Sequence, residues 1–160
     1  MKKQQIIIWL FLGVYILLLV NFTLVDDSFG RNIFNIKNLN FDSLANYMDT
    51  SLNLTPFATI KLYINGLKTG NISLGYFFIN IFGNFLMLMP LSFFAPTLIK
   101  GLNKFYKFLI FVILFAVCIE ILQILFLTGS CDIDDVILNV LGACVSYFIF
   151  QKLKNTSKTE

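Results

Sequence analysis

The sequence predicts an all-α membrane protein, a bundle of about four transmembrane helices with a longer extracellular first loop. Two observations carry that prediction. Hydrophobic residues make up 58% of the chain and charged residues only 13%, with a mean hydropathy of +0.80, outside the range of a water-soluble domain. Four apolar stretches also stand out, at 6–25, 74–95, 105–127 and 133–151. A spanning helix needs about 20 apolar residues. The 160 residues therefore hold a handful of helices and their connections as a single domain, 1–160.

The first stretch follows Lys2 and Lys3, as the apolar core of a signal peptide would, but it is about 20 residues long and has no small-x-small cleavage site. It is expected to be a retained anchor. The segment 26–73 carries Arg31, Lys37, Lys61 and Lys68. Within it Phe57 to Ile64 alternates only loosely, which leaves a short interfacial helix and an irregular loop both open. Asn65-Gly66 and Thr69-Gly70 read as turns ahead of the second span. In that span Pro90 has no N–H to give the Leu86 carbonyl, so a kink is expected there. The third span, Phe105 to Leu127, is followed by a short acidic connection, Thr128 to Asp135. The fourth is long enough to cross only if it begins near Ile133.

If the four helices alternate, Lys2 and Lys3, then Lys100, Lys104 and Lys107, then Lys152, Lys154 and Lys158 fall on one side. The positive-inside rule makes that side the cytoplasm and places both termini there. A formal charge of +3 spread over dispersed lysines is no nucleic-acid footprint. With no His in the chain, imidazole metal ligation and His-based acid/base or triad chemistry are excluded. Cys118 and Cys144 fall inside predicted spans; only Cys131 is notable by position. The acidic run does not match an EF-hand loop, and no metal or cofactor is assigned. No internal repeat is visible, which disfavours an inverted-repeat transporter.

Against this apolar background a few polar residues stand out. Asn80 and Asn84, four apart, share a face of the second span, with Gly83 beside them to permit close helix approach. Glu120 and Gln123 share a face of the third. Asp135, Asn139, Gly142 and Ser146 form one stripe on the fourth. At roughly 1.5 Å per residue Asn80 lies about 10 Å, Glu120 about 12 Å and Asn139 about 6 to 8 Å inside the same end of the bundle. Asn and Gln in spanning helices often only fix packing. Glu120 is different, because an intramembrane carboxylate is costly and marks a functional site by default. The cluster Asp132, Asp134, Asp135 admits three readings: a solvated loop with a capping Asp, a cation site, or an acid/base set.

Taken together, Asn53-Leu54-Thr55-Pro56-Phe57, then Asn80-Ile81-Phe82-Gly83-Asn84 with Met89-Pro90, then Glu120-Ile121-Leu122-Gln123, then Asp132 through Ala143 resemble the signature of the VanZ-like family of bacterial membrane proteins. The resemblance is strongest over 53–146. It implies a multi-pass protein of the bacterial cytoplasmic membrane, connected with resistance to teicoplanin-type glycopeptides. Two departures from the family pattern stand out. No Lys or Arg lies between Lys107 and Lys152, where the family often carries an Arg before its Asp motif, and Ser92 stands where a Gly commonly follows the Pro.

Three functions are compatible with these residues. The first is a polar pocket in the outer half of the membrane, built from Asn80, Asn84, Gln123, Asp132 and Asn139 with Glu120, Asp134 and Asp135. It would recognise a membrane lipid or lipid-linked envelope molecule, or the glycopeptide antibiotic itself. The second is an intramembrane enzyme acting on a lipid headgroup, with Glu120 as acid and Asp134 or Asp135 as base. The third is a lipid or ion transporter formed by a homo-oligomer, with Glu120 as relay.

Overall fold

The computed structural model describes residues 3–25 and 41–156. Its elements are α1 (Lys3–Val20), which runs into a π-helical turn (Asn21–Val25), α2 (Phe41–Ser51), β1 (Leu52–Asn53), α3 (Ala58–Thr69), α4 (Leu74–Met87), α5 (Leu91–Leu98), α6 (Phe105–Leu125), β2 (Cys131–Asp132) and α7 (Ile133–Thr156). Among the described residues four helical stretches are long and apolar enough to cross a bilayer: Gln5–Leu24, Leu74–Leu98, Phe105–Leu125 and Ile133–Thr156. Helix α6, with 21 residues, is about 32 Å long, close to the thickness of the hydrocarbon layer. Leu10, Leu17, Ile110, Leu114 and Phe148 lie exposed along these helices, as lipid-facing side chains do.

Local sequence explains how the second crossing starts and breaks. Ser73, in extended conformation, caps α4 by accepting the Tyr76 amide at 3.2 Å. At the other end Pro90 splits the crossing into α4 and α5. The Leu86 carbonyl, deprived of its usual donor, takes the Met89 amide at 3.2 Å instead. The Ser146 hydroxyl of α7 stands 3.0 Å from the Met89 carbonyl and 2.7 Å from the Ser92 hydroxyl, so the break is secured from the neighbouring helix.

The core is the seam where α6 and α7 meet α4 and α5: Leu88, Leu91, Ala95, Phe108, Val112, Ala116, Ala143 and Tyr147 are all buried. Phe108 and Tyr147 stack with ring centroids 4.5 Å apart. Closest approach is set by Gly142, where a Cβ would come within 1.7 Å of the Phe85 carbonyl oxygen. Gly83, expected to serve that purpose, does not: a Cβ there would meet nothing within 4 Å. Helix α1 joins through Tyr15, which donates to the Met87 carbonyl at 2.9 Å and stacks on Phe94.

Between the first and second crossings the chain is more regular than its loose pattern suggested. Residues 26–40 of that segment lie outside the described residues. From Phe41 onward it forms α2, β1 and α3. Asn65-Gly66 is part of α3 and not a turn. Gly66 is tolerated in the helix because Ile72 folds back over it, 2.5 Å from where a Cβ would stand. The helix ends at Gly70, in the left-handed conformation at φ 75°, with the Ile72 amide returning to the Gly66 carbonyl at 3.1 Å.

Candidate functional site

The acidic connection before α7 is tied to the segment before α3. Strands β1 and β2 pair in parallel, Leu52 opposite Cys131 and Asn53 opposite Asp132. This two-rung ladder places three carboxylates in the interior: Glu120 and Asp132 are 4% exposed and Asp134 is fully buried. Glu120 accepts the Asp132 amide at 3.0 Å, so the acid inside the third span fixes the start of the fourth. Asp132 accepts from the Thr59 hydroxyl and from the Asp134 amide at 2.9 Å, and its oxygens lie 3.4 and 3.5 Å from the Asn53 side-chain amide. Asp134 accepts the backbone amides of Phe57 and Ile60, the latter at 3.1 Å. It thereby supplies the N-terminal cap that α3 lacks from its own sequence, where Phe57 stands with φ 65° and no capping side chain.

Asp135 has a different setting. One residue further on, it is only half-buried, and its carboxylate accepts from the Asn84 side-chain amide of α4. Nearby stands Tyr63 of α3, whose phenol is pushed above its ordinary value by burial first and then by Tyr76, Asp135 and Asp132. Tyr63 and Tyr76 meet edge to face at 5.9 Å. Both line a cavity of about 470 Å³ with Leu62, Asn71, Ile72 and Ser73. On the other flank of the ladder the Cys131 thiol is raised by burial, Glu120 and Asp132, which makes it a poor nucleophile at neutral pH.

The remaining predicted residues lie around this cluster. Gln123 is buried and donates to the Thr23 carbonyl at 3.1 Å, tying α6 to the π-helical turn after α1. Asn139 is buried and donates to the Asp135 carbonyl one turn back, at 2.9 Å. Asn80 donates to the Tyr76 carbonyl of its own helix at 2.8 Å, so its amide group serves α4 and not a neighbour. Gln123 Oε1, Asn139 Oδ1 and Thr128 Oγ1 are buried polar atoms with no hydrogen-bond partner. Among the described residues no group of three or more Cys, Asp or Glu is arranged to hold a metal ion.

Glu120, Asp132, Asp134, Asp135 and Asn84 are thus brought together, and they are joined to the family-like run around Asn53 and Phe57. The sequence model of the VanZ/LLP1 family matches residues 12–154, a range that takes in every one of these groups. The chain belongs to the VanZ/LLP1 family. Protein VanZ of Enterococcus faecium is 31% identical over 124 residues, covering 76% of this chain and 67% of that protein. No solved structure matches the chain. Placement in VanZ/LLP1 and four crossing-length helices make it a multi-pass membrane protein. Sequence reasoning missed Thr59, Tyr63 and Tyr76. Thr59 and Tyr63 sit on α3, a helix with no buried residue, and their only signal was a position shortly after the Asn53-to-Phe57 run. Tyr76 precedes Asn80 and Asn84 on the same face of α4, and that spacing could have found it.

Proposed function

We propose that this VanZ-like protein recognises a lipid-linked or amphipathic molecule of the cell envelope at the Asp135 side of its polar cluster. Through that recognition it contributes to glycopeptide resistance of the teicoplanin type or to envelope-lipid handling. The carrying observation is the contrast among the acids. Glu120, Asp132 and Asp134 are buried, whereas Asp135 is half-buried, oriented by Asn84 and next to a tyrosine-lined cavity. On this reading Glu120, Asp132 and Asp134 hold the architecture, and Asp135, held by the buried Asn84, meets the ligand. A buried, hydrogen-bonded carboxylate is an expensive way to fill space, and its partners here come from three separate segments. The cluster therefore fixes α3 over the end of the bundle and keeps the recognition groups in register.

The test is the Asp135→Asn variant expressed in a glycopeptide-sensitive bacterial host. The side chain keeps its shape and loses its charge, so membrane abundance should match the parent while any resistance or envelope-lipid phenotype is lost. A phenotype that survives at equal abundance removes the proposal.

A further inference from the structure

Resting on the reading that the Asp135 side is a recognition site, we infer that the cavity between α3 and the start of α4 takes the ammonium group of a cationic amphiphile. Its lining is aromatic and neutral: Tyr63, Tyr76, Leu62, Ile72, Asn71 and Ser73, with no Lys or Arg. Lys61 and Lys68 of α3 are exposed and are not among the lining residues. Two of the six lining side chains are phenols, Tyr63 and Tyr76, whose rings stand edge to face at 88°. Ring faces attract ammonium groups.

The negative end of the site lies along α4. Tyr76, Asn80 and Asn84 follow one another at steps of four, a single face leading from the cavity wall to the side chain that holds Asp135. From the α3 side, Tyr63 is also within the field of Asp135 and Asp132. An anionic headgroup would enter that field against repulsion. A neutral sugar would gain hydrogen bonds and no charge attraction. An ammonium gains both the carboxylate field and the aromatic faces.

Access and size fit the same occupant. The cavity stands at the first turn of the second crossing, where Leu74 is 65% and Tyr76 43% exposed. Tyrosines at that level mark the headgroup zone of a bilayer. A volume of about 470 Å³ is within the usual range for small-molecule sites. It holds a headgroup with its first few carbons while the remaining chain stays in lipid.

The experiment uses the full chain in phosphatidylcholine nanodiscs, titrated by calorimetry with octylammonium, octyl glucoside and octyl phosphate, and empty nanodiscs as the partition control. Octylammonium is expected to bind saturably and more tightly than the other two. Asp135→Asn should weaken it severalfold, through loss of the carboxylate's field at the cavity wall, and Tyr76→Leu should also weaken it, through loss of one ring. Equal or tighter binding of the glucoside or phosphate by the unmodified chain overturns the inference, whatever the variants do. Partition no different from empty nanodiscs, or Asp135→Asn leaving octylammonium affinity unchanged, overturns it too. If the glucoside is the saturable ligand and Asp135→Asn still abolishes resistance, recognition at Asp135 stands and the ammonium falls. Unchanged resistance in that variant removes both.

Discussion

Asp134→Ala separates architecture from recognition. Asp134 has no exposed surface and accepts two backbone amides, Phe57 and Ile60, from a helix that begins without a side-chain cap. Hydrogen bonds to a charged group contribute about 1.5–3 kcal/mol each, so losing both costs the α3 dock about 3–6 kcal/mol. The left-handed Phe57, at φ 65°, adds to the effect, since a strained backbone residue persists only where its surroundings hold it. Asp134→Asn keeps one acceptor and turns an N–H toward the other amide, for roughly half the loss. The measurement is hydrogen exchange of the Phe57 and Ile60 amides in nanodiscs. Asp134→Ala should lower their protection by roughly a hundredfold or more, the factor that about 3 kcal/mol represents, while α6 stays protected. If both amides keep their protection, Asp134 does not hold α3, and the division of roles among the acids is wrong.

Helix packing and titration give two more tests. Gly142→Leu drives a side chain into the Phe85 carbonyl and should cost about 1–3 kcal/mol or more, whereas Gly83→Ala, with nothing within 4 Å, should be neutral or slightly stabilising; thermal inactivation followed by gel filtration compares them, and equal behaviour would refute the α4–α7 contact. Tyr63 is held above its ordinary value of 10.0, so the folded chain keeps a proton that the unfolded chain releases. Its proton-linked stability is complete below pH 10 and is lost as pH rises through the folded value. Tyrosinate absorbance should show one phenol fewer titrating near pH 10 than in Tyr63→Phe with that residue's contribution added back, and Asp135→Asn should shift the midpoint down.

Much of the bundle was readable because hydrocarbon imposes a crude code. Long apolar runs had to be helices, and Pro90 had to interrupt one. The meeting of Glu120 with Asp132, and of Asn84 with Asp135, was also within reach, since polar side chains at a common depth on separate helices have few other places to go. Two things were hidden. Asp134 and Asp135 are adjacent and chemically identical, yet the 100° step between helix neighbours aims one at α3 and the other at α4. The pairing of Asn53 with Asp132 joins positions 79 apart, and two-residue strands leave no periodicity to read. Helix α3 was left open between a short interfacial helix and a loop, because its Phe57-to-Ile64 run alternates only loosely and it buries no residue fully.

The two-rung ladder has a mechanical consequence. Because Leu52–Asn53 is stitched to Cys131–Asp132, and Asp134 grips α3 from the very next turn, α3 is anchored to the first residues of α7. The wall of the cavity at Tyr63 and the backbone carrying Asp135 therefore share one anchorage, at the threshold of the last crossing.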